Sequence, residues 1–210
     1  MAKQAEKDIE AYLSKADPHL GRLIKMVIKK GGKQSFTRTY DSHFHAFTRS
    51  IVSQQLSVKA AATIYGRFQK LVGGKVTPRR VQNLTIEQMR SIGLSFPKAR
   101  YMHNLAAWFS KHGKKINDTL SDDELIELLT EISGIGVWTV QMFLMFYMKR
   151  PDVMPARDLG IQKGVQLVYG LKKKAAPGYI MRKTKHWQPY RSIACLYLWQ
   201  AFNLDVHKEF

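Results

Sequence analysis

Residues 129–140, reading LTEISGIGVWTV, put two glycines between a polar-faced helical pattern and an almost wholly apolar one. Gly134 and Gly136 can both take positive φ without a Cβ clash, so the chain can reverse sharply and point several backbone N–H groups at one place. A helix N-terminus also carries unpaired N–H groups and about half a positive charge, so the expected guest is an anion, above all a phosphate, whatever base it carries. On this geometry the donors are the main-chain N–H groups of Gly134, Gly136, Val137 and Thr139.

Asp158, in DVMPARDLGIQKGVQLVYG, is the second group able to do chemistry. It stands just before a helical pattern carried by Ile161, Val165 and Val168, which is the place of an N-cap. Capping a first-turn N–H is worth about 1 kcal/mol and would by itself account for an aspartate here, though a cap can also be catalytic. The segment that separates Asp158 from the hairpin, Val137 to Met148, is apolar on nearly every side except at Thr139 and Gln141, so it is expected to be buried all round. Such a helix suits a plain core, or an interface between two lobes with ligand-contacting groups in a cleft at its ends. About twelve helical residues climb roughly 18 Å. The loop that follows can return Asp158 over that cleft, where a carboxylate would otherwise only repel phosphates.

Charge and composition bound the partners. The chain has 210 residues, and 34 Lys plus Arg against 16 Asp plus Glu leave a net charge of +18. That excess attracts nucleic acid, and would also attract an anionic membrane surface. The longest apolar run, Met142 to Met148, is too short to cross a bilayer, and MAKQAEKDIE lacks the apolar centre of a signal peptide, so a soluble, intracellular protein acting with DNA is expected. Cys195 is the only cysteine, which excludes an internal disulfide, a multi-cysteine zinc site and a four-cysteine iron-sulfur cluster. The seven histidines show no metal-ligand spacing, and no zinc is expected.

Helical periodicity runs nearly throughout and predicts an all-α fold. Asp17-Pro18 and Thr77-Pro78 read as helix starts, and Thr85 with Gln88 and Ser121 with Glu124 as capping boxes. Gly31-Gly32 and Gly73-Gly74 read as stops. Only Gln34 to Asp41 alternates mildly like a strand, and the lysine-rich Lys172 to Lys185 reads as a basic loop. The expected organisation is a terminal lobe of residues 1–50 plus 150–210 around a central lobe of residues 51–149 that ends in the hairpin, with a cleft for DNA and base between them.

The segments ISGIGVWTVQMF and MPARDLGIQKG, with IVSQQLSVKAA, GLSFPKAR and WQPYRSIACLYLW, resemble the helix-hairpin-helix DNA glycosylases, and within them the AlkA-type 3-methyladenine branch. The likeness covers about Phe44 to Trp199 and is to a short form without the extra N-terminal mixed domain of longer relatives. It implies a monomeric enzyme acting on damaged bases in double-stranded DNA, with Asp158 catalytic. It also implies that Trp138 stands where the family's strand-cleaving members carry a nucleophilic lysine, which points to release of alkylated purines without lyase activity. A flat electron-rich ring there suits a cationic base. Trp199 matches a second pocket aromatic, although Tyr197 and Trp199 at helical spacing fit a core equally well. Gln55 matches the wedge that fills the stack when a nucleotide is rotated out, with Gln54 and Leu56 beside it. The resemblance further implies a sodium or potassium ion on the main-chain carbonyls of Thr130, Ile132 and Ile135. Lys98 and Lys163 could add phosphate contacts. Two other readings remain open: a noncatalytic DNA binder using the same hairpin, which would not need Asp158, and a glycosylase for another lesion.

Overall fold

The structure, a computed structural model, describes residues 2–36 and 40–210, with side chains for 9–36, 40–57 and 59–210. Among the described residues there are twelve α-helices, three single-turn 3-10 helices and no strand. Of the strand-like Gln34 to Asp41, residues 37–39 lie outside the described residues, and the rest is irregular. No described helix is long and apolar enough to cross a membrane.

The chain divides into two compact units, residues 1–37 with 149–210, and residues 38–148. The first boundary therefore falls before the helix His43–Ser53 rather than at residue 50. That helix packs on three others of the central unit and carries Phe44, Phe47, Ile51 and Val52 into its core.

In the terminal unit, α1 (Ala2–Ala16) and α2 (Pro18–Gly31) form an antiparallel pair joined at Asp17. Leu20, Leu23, Ile24 and Val27, at helical spacing on α2, are buried, and α2 packs on α1 and on α12 (Arg191–Asn203). Removing each such side chain from water contributes about 1.5–3 kcal/mol. α10 (Leu159–Val168) packs on α12, and α11 (Pro177–Lys183) packs on α10. The basic segment thus contains a helix where a loop was expected. Pro177 supplies a pre-set φ at its first position, and Ile180 is fully buried.

Asp17 does more than start α2. Its side chain accepts the N–H groups of His19 and Leu20 at 3.0 and 3.2 Å, Trp187 Nε1 at 2.9 Å, His186 Nε2 at 3.1 Å, and the Tyr169 hydroxyl. Burial pushes the pKa of this carboxyl up, but these hydrogen bonds outweigh it and hold it below the ordinary aspartate value.

The central unit runs α3 (His43–Ser53), α4 (Val58–Leu71), α5 (Pro78–Gln82), α6 (Ile86–Ser91), α7 (Phe96–His112), α8 (Asp122–Thr130) and α9 (Val137–Phe146). The long α7 is the spine: Met102, Leu105 and Ala106 are fully buried, and α3, α5 and α6 pack along it. Phe47 of α3 stacks on Phe143 of α9 with ring centroids 4.4 Å apart, tying the helix after the hairpin to the same core. Both predicted capping boxes form, at Thr85 with Gln88 and at Ser121 with Glu124.

Candidate active site

Asp158 is the N-cap of α10, with extended backbone, and its Oδ1 accepts the Ile161 N–H at 2.9 Å. The same oxygen accepts Trp199 Nε1–H, also at 2.9 Å. Two donors from different helices thus fix one carboxylate oxygen. Trp199 is half-buried on α12, so its indole is neither pure core nor free surface, whereas Tyr197 two residues earlier is fully buried.

The close approach of α10 to α12 depends on two glycines one turn apart. A Cβ at Gly160 would lie 2.7 Å from Trp199 Cδ1 and 3.1 Å from Asp158 Oδ1, and one at Gly164 would lie 2.7 Å from Leu198 Cβ. The four-residue spacing of Gly160 and Gly164, immediately after Asp158, is the sequence signal that would have revealed this seat. The loop before Asp158 is equally constrained. Arg191 pairs with Asp152 in a two-pronged bridge, Nε to Oδ1 at 2.7 Å and Nη2 to Oδ2 at 2.8 Å. Ser192 donates its N–H to Pro151 O at 2.9 Å, and its Oγ accepts Val153 N–H at 2.8 Å. Cys195 is wholly buried below this loop, and burial pushes its thiol pKa up, so it stays a neutral packing group.

In the central unit, α8 and α9 are joined by a turn in which Ile132 N–H donates to Leu129 O at 3.2 Å and Ile135 N–H to Ile132 O at 2.9 Å. The side chains of Ile132 and Ile135 are buried beneath it. Gly134 has φ +93°, and a Cβ there would meet the Tyr101 ring at 2.3 Å, so only glycine fits. Gly136 departs from expectation. Its φ of −99° is open to any residue, and a Cβ would touch nothing within 4 Å. Its importance is that it is the N-cap of α9 and brings no side chain to cap it. α9 is not buried all round either, because its first turn lies open: Val137 is 48% and Trp138 44% exposed, while Thr139 is buried. The helix ends at Phe146, not Met148.

Gln54 Nε2 donates to Gly134 O at 3.1 Å, joining the end of α3 to the hairpin turn. Lys98 Nζ donates to Val52 O at 2.8 Å and Gln54 O at 2.6 Å, so it caps the C-terminus of α3 rather than facing outward to a phosphate. Burial holds its pKa below the ordinary lysine value. On this anchored end Gln55 sits in the left-handed region, φ +56°, with its side chain exposed, and Leu56 beside it is 38% exposed and not core.

The hairpin, and Asp158 with Gly160 and Gly164, fall within residues 48–189, which match the HhH-GPD superfamily of base excision DNA repair proteins. The chain belongs to this superfamily. Schizosaccharomyces pombe DNA-3-methyladenine glycosylase 1 is 35% identical to this HhH-GPD protein over 96% of the chain and 92% of the relative. Among solved structures, the S. pombe 3-methyladenine DNA glycosylase in complex with abasic DNA superposes with a TM-score of 0.83 at 33% identity, covering 94% of this chain and 97% of that one. A DNA-3-methyladenine glycosidase from Bacillus halodurans gives 0.79 at 33% identity, over 94% and 90%.

Proposed function

We propose that this HhH-GPD protein is a monofunctional, monomeric DNA glycosylase that excises alkylated purines of the 3-methyladenine and 7-methylguanine type from double-stranded DNA, opening base excision repair. The observation that carries the reading is Asp158 Oδ1 fixed by Ile161 N–H and Trp199 Nε1–H. The names borne by relatives of matching length support the same substrate class.

Breaking the N-glycosidic bond develops positive, oxocarbenium-like charge on the sugar, which a preorganised carboxylate stabilises. The bond's electron pair leaves with the base and neutralises its positive charge, water adds to the sugar carbon, and the proton lost by that water passes to Asp158. Because the alkylated base departs without a strong protein acid, one carboxylate suffices. In the terminal unit Trp199 offers an aromatic face beside Asp158; in the central unit Trp138 is an exposed ring suited to stacking on a base, Gln55 fills the vacated stack, and the N–H groups of Gly134, Gly136, Val137 and Thr139 receive a phosphate. The carbonyls of Thr130, Ile132 and Ile135 would hold a sodium or potassium ion at the hairpin. Neutral oxygens suit such an ion, and Ile132 O, which already accepts Ile135 N–H at 2.9 Å, keeps a second lone pair for it.

Trp138 has no amine with which to form a Schiff base, so the product is an abasic site in an unbroken strand. Incubation with alkylated duplex is expected to give strand breaks only after alkali, and borohydride to trap no protein–DNA adduct. A trapped adduct, or breaks without alkali, contradicts the monofunctional reading. Gly160→Ala forces the Trp199 indole off Asp158, and is expected to slow single-turnover release by about 10- to 100-fold, since misplacement by an ångström is that costly. Unaltered release would show that the Trp199 contact does not position Asp158.

A further inference from the structure

From Leu159 to Leu204 the chain has no Asp or Glu, while eight Lys and Arg residues fall between 159 and 191. The structure brings two of the basic runs together. Lys172, Lys173 and Lys174 leave α10 just after its C-cap Tyr169, and Lys183, at the end of α11, returns to lie over the Tyr169 ring, its Nζ 4.7 Å from the centroid. Arg182 and Lys185 flank Lys183, and all six side chains are exposed. Ile180, Thr184 and Trp187 turn the opposite side of this segment inward, so its charges cannot fold back into the core.

Among the described residues no carboxylate neutralises the group. The acid beneath them, Asp17, is 3% exposed and already accepts from Tyr169, His186 and Trp187. Six like charges on one small surface repel one another, and a polyanion that displaces their counterions relieves that repulsion.

We propose that this surface binds the phosphodiester backbone of duplex DNA beyond the lesion, independently of base sequence. The proposal rests on the reading of DNA as substrate. Asp158 opens α10 and the basic surface begins where α10 closes, ten residues and about 15 Å along the helix, a span of only four or five base pairs. Contacts of flexible Lys and Arg side chains to phosphates carry no sequence information, so this contact adds affinity and footprint without adding lesion preference.

The test is the salt dependence of binding to an undamaged duplex of about 25 base pairs, followed by fluorescence anisotropy. Substituting Lys172→Gln, Lys173→Gln and Lys174→Gln together is expected to make the slope of log Kd against log salt shallower by about 2 to 3, at 0.9 per lost phosphate contact. The matching triple Lys→Arg variant keeps the charge and is expected to retain the wild-type slope. An unchanged slope in the Gln variant, or an equal loss in the Arg variant, overturns the proposal. The titration involves no base release, so a protein that binds with the expected slopes yet excises nothing would refute the glycosylase reading and leave this surface standing. Normal excision with an unchanged slope would refute this surface alone.

Discussion

Asp158→Asn is expected to slow single-turnover release of alkylated purine by about 10²- to 10⁴-fold, the range associated with losing a preorganised charge or a general base. The substitution is informative because of what it spares. Asparagine keeps a carbonyl oxygen for Ile161 N–H and Trp199 Nε1–H, so the cap of α10 and the seat against α12 survive and only the negative charge goes. Affinity for a duplex containing an abasic site is expected to stay the same or to tighten, because a carboxylate near phosphates repels them. A melting temperature close to wild type would separate a chemical defect from a folding one. Loss of both binding and stability would mean that Asp158 is chiefly a structural cap.

The largest stability effect is expected at Asp17, far from Asp158 in sequence. Asp17→Ala leaves Tyr169, Trp187, His186 and the first turn of α2 without their common acceptor, and stranding buried donors of this kind costs about 3–5 kcal/mol. For a chain of this length that is a fall of roughly 10 °C in Tm, measurable by differential scanning calorimetry. The carboxyl has a pKa below its unfolded value, so its contribution is complete above about pH 4 and is lost as pH falls through the folded pKa. Asp152, half-buried and held below its ordinary value by hydrogen bonds from Arg191 and Gln188, acts in the same direction. Wild-type unfolding free energy should therefore drop steeply below about pH 4, and the Asp17→Ala variant should show a smaller drop. Equal pH dependence in the two proteins would remove Asp17 from this role.

The helices were legible where the signal is local. Ser121 with Glu124, Thr85 with Gln88, and the prolines after Asp17 and Thr77 each mark a start, because a cap needs only residues three apart. The cap at Asp158 was legible for the same reason, and the resemblance carried its chemical meaning. What sequence missed depends on residues distant along the chain. That Trp199 reaches Asp158 is set by Gly160 and Gly164 letting α12 approach, and 41 residues separate the two partners. Lys98 looked like a surface cation because nothing nearby announces that its ammonium finds the carbonyls that end α3. Gly136 shows a different failure. Its type suggested positive φ, but its φ is −99° and it stands as the N-cap of α9 with no capping side chain. Trp138 and Val137 were hidden within an apolar run because hydrophobicity alone cannot tell a core face from an exposed one.

The most direct measurement is the identity of the bases set free from alkylated duplex DNA by the wild-type protein and by Asp158→Asn, read by liquid chromatography with mass spectrometry. Free 3-methyladenine and 7-methylguanine are expected from the wild type and, over the same interval, almost none from the variant. No alkylated base from the wild type, or equal release by both proteins, would contradict the assignment of Asp158 as the group that excises the base.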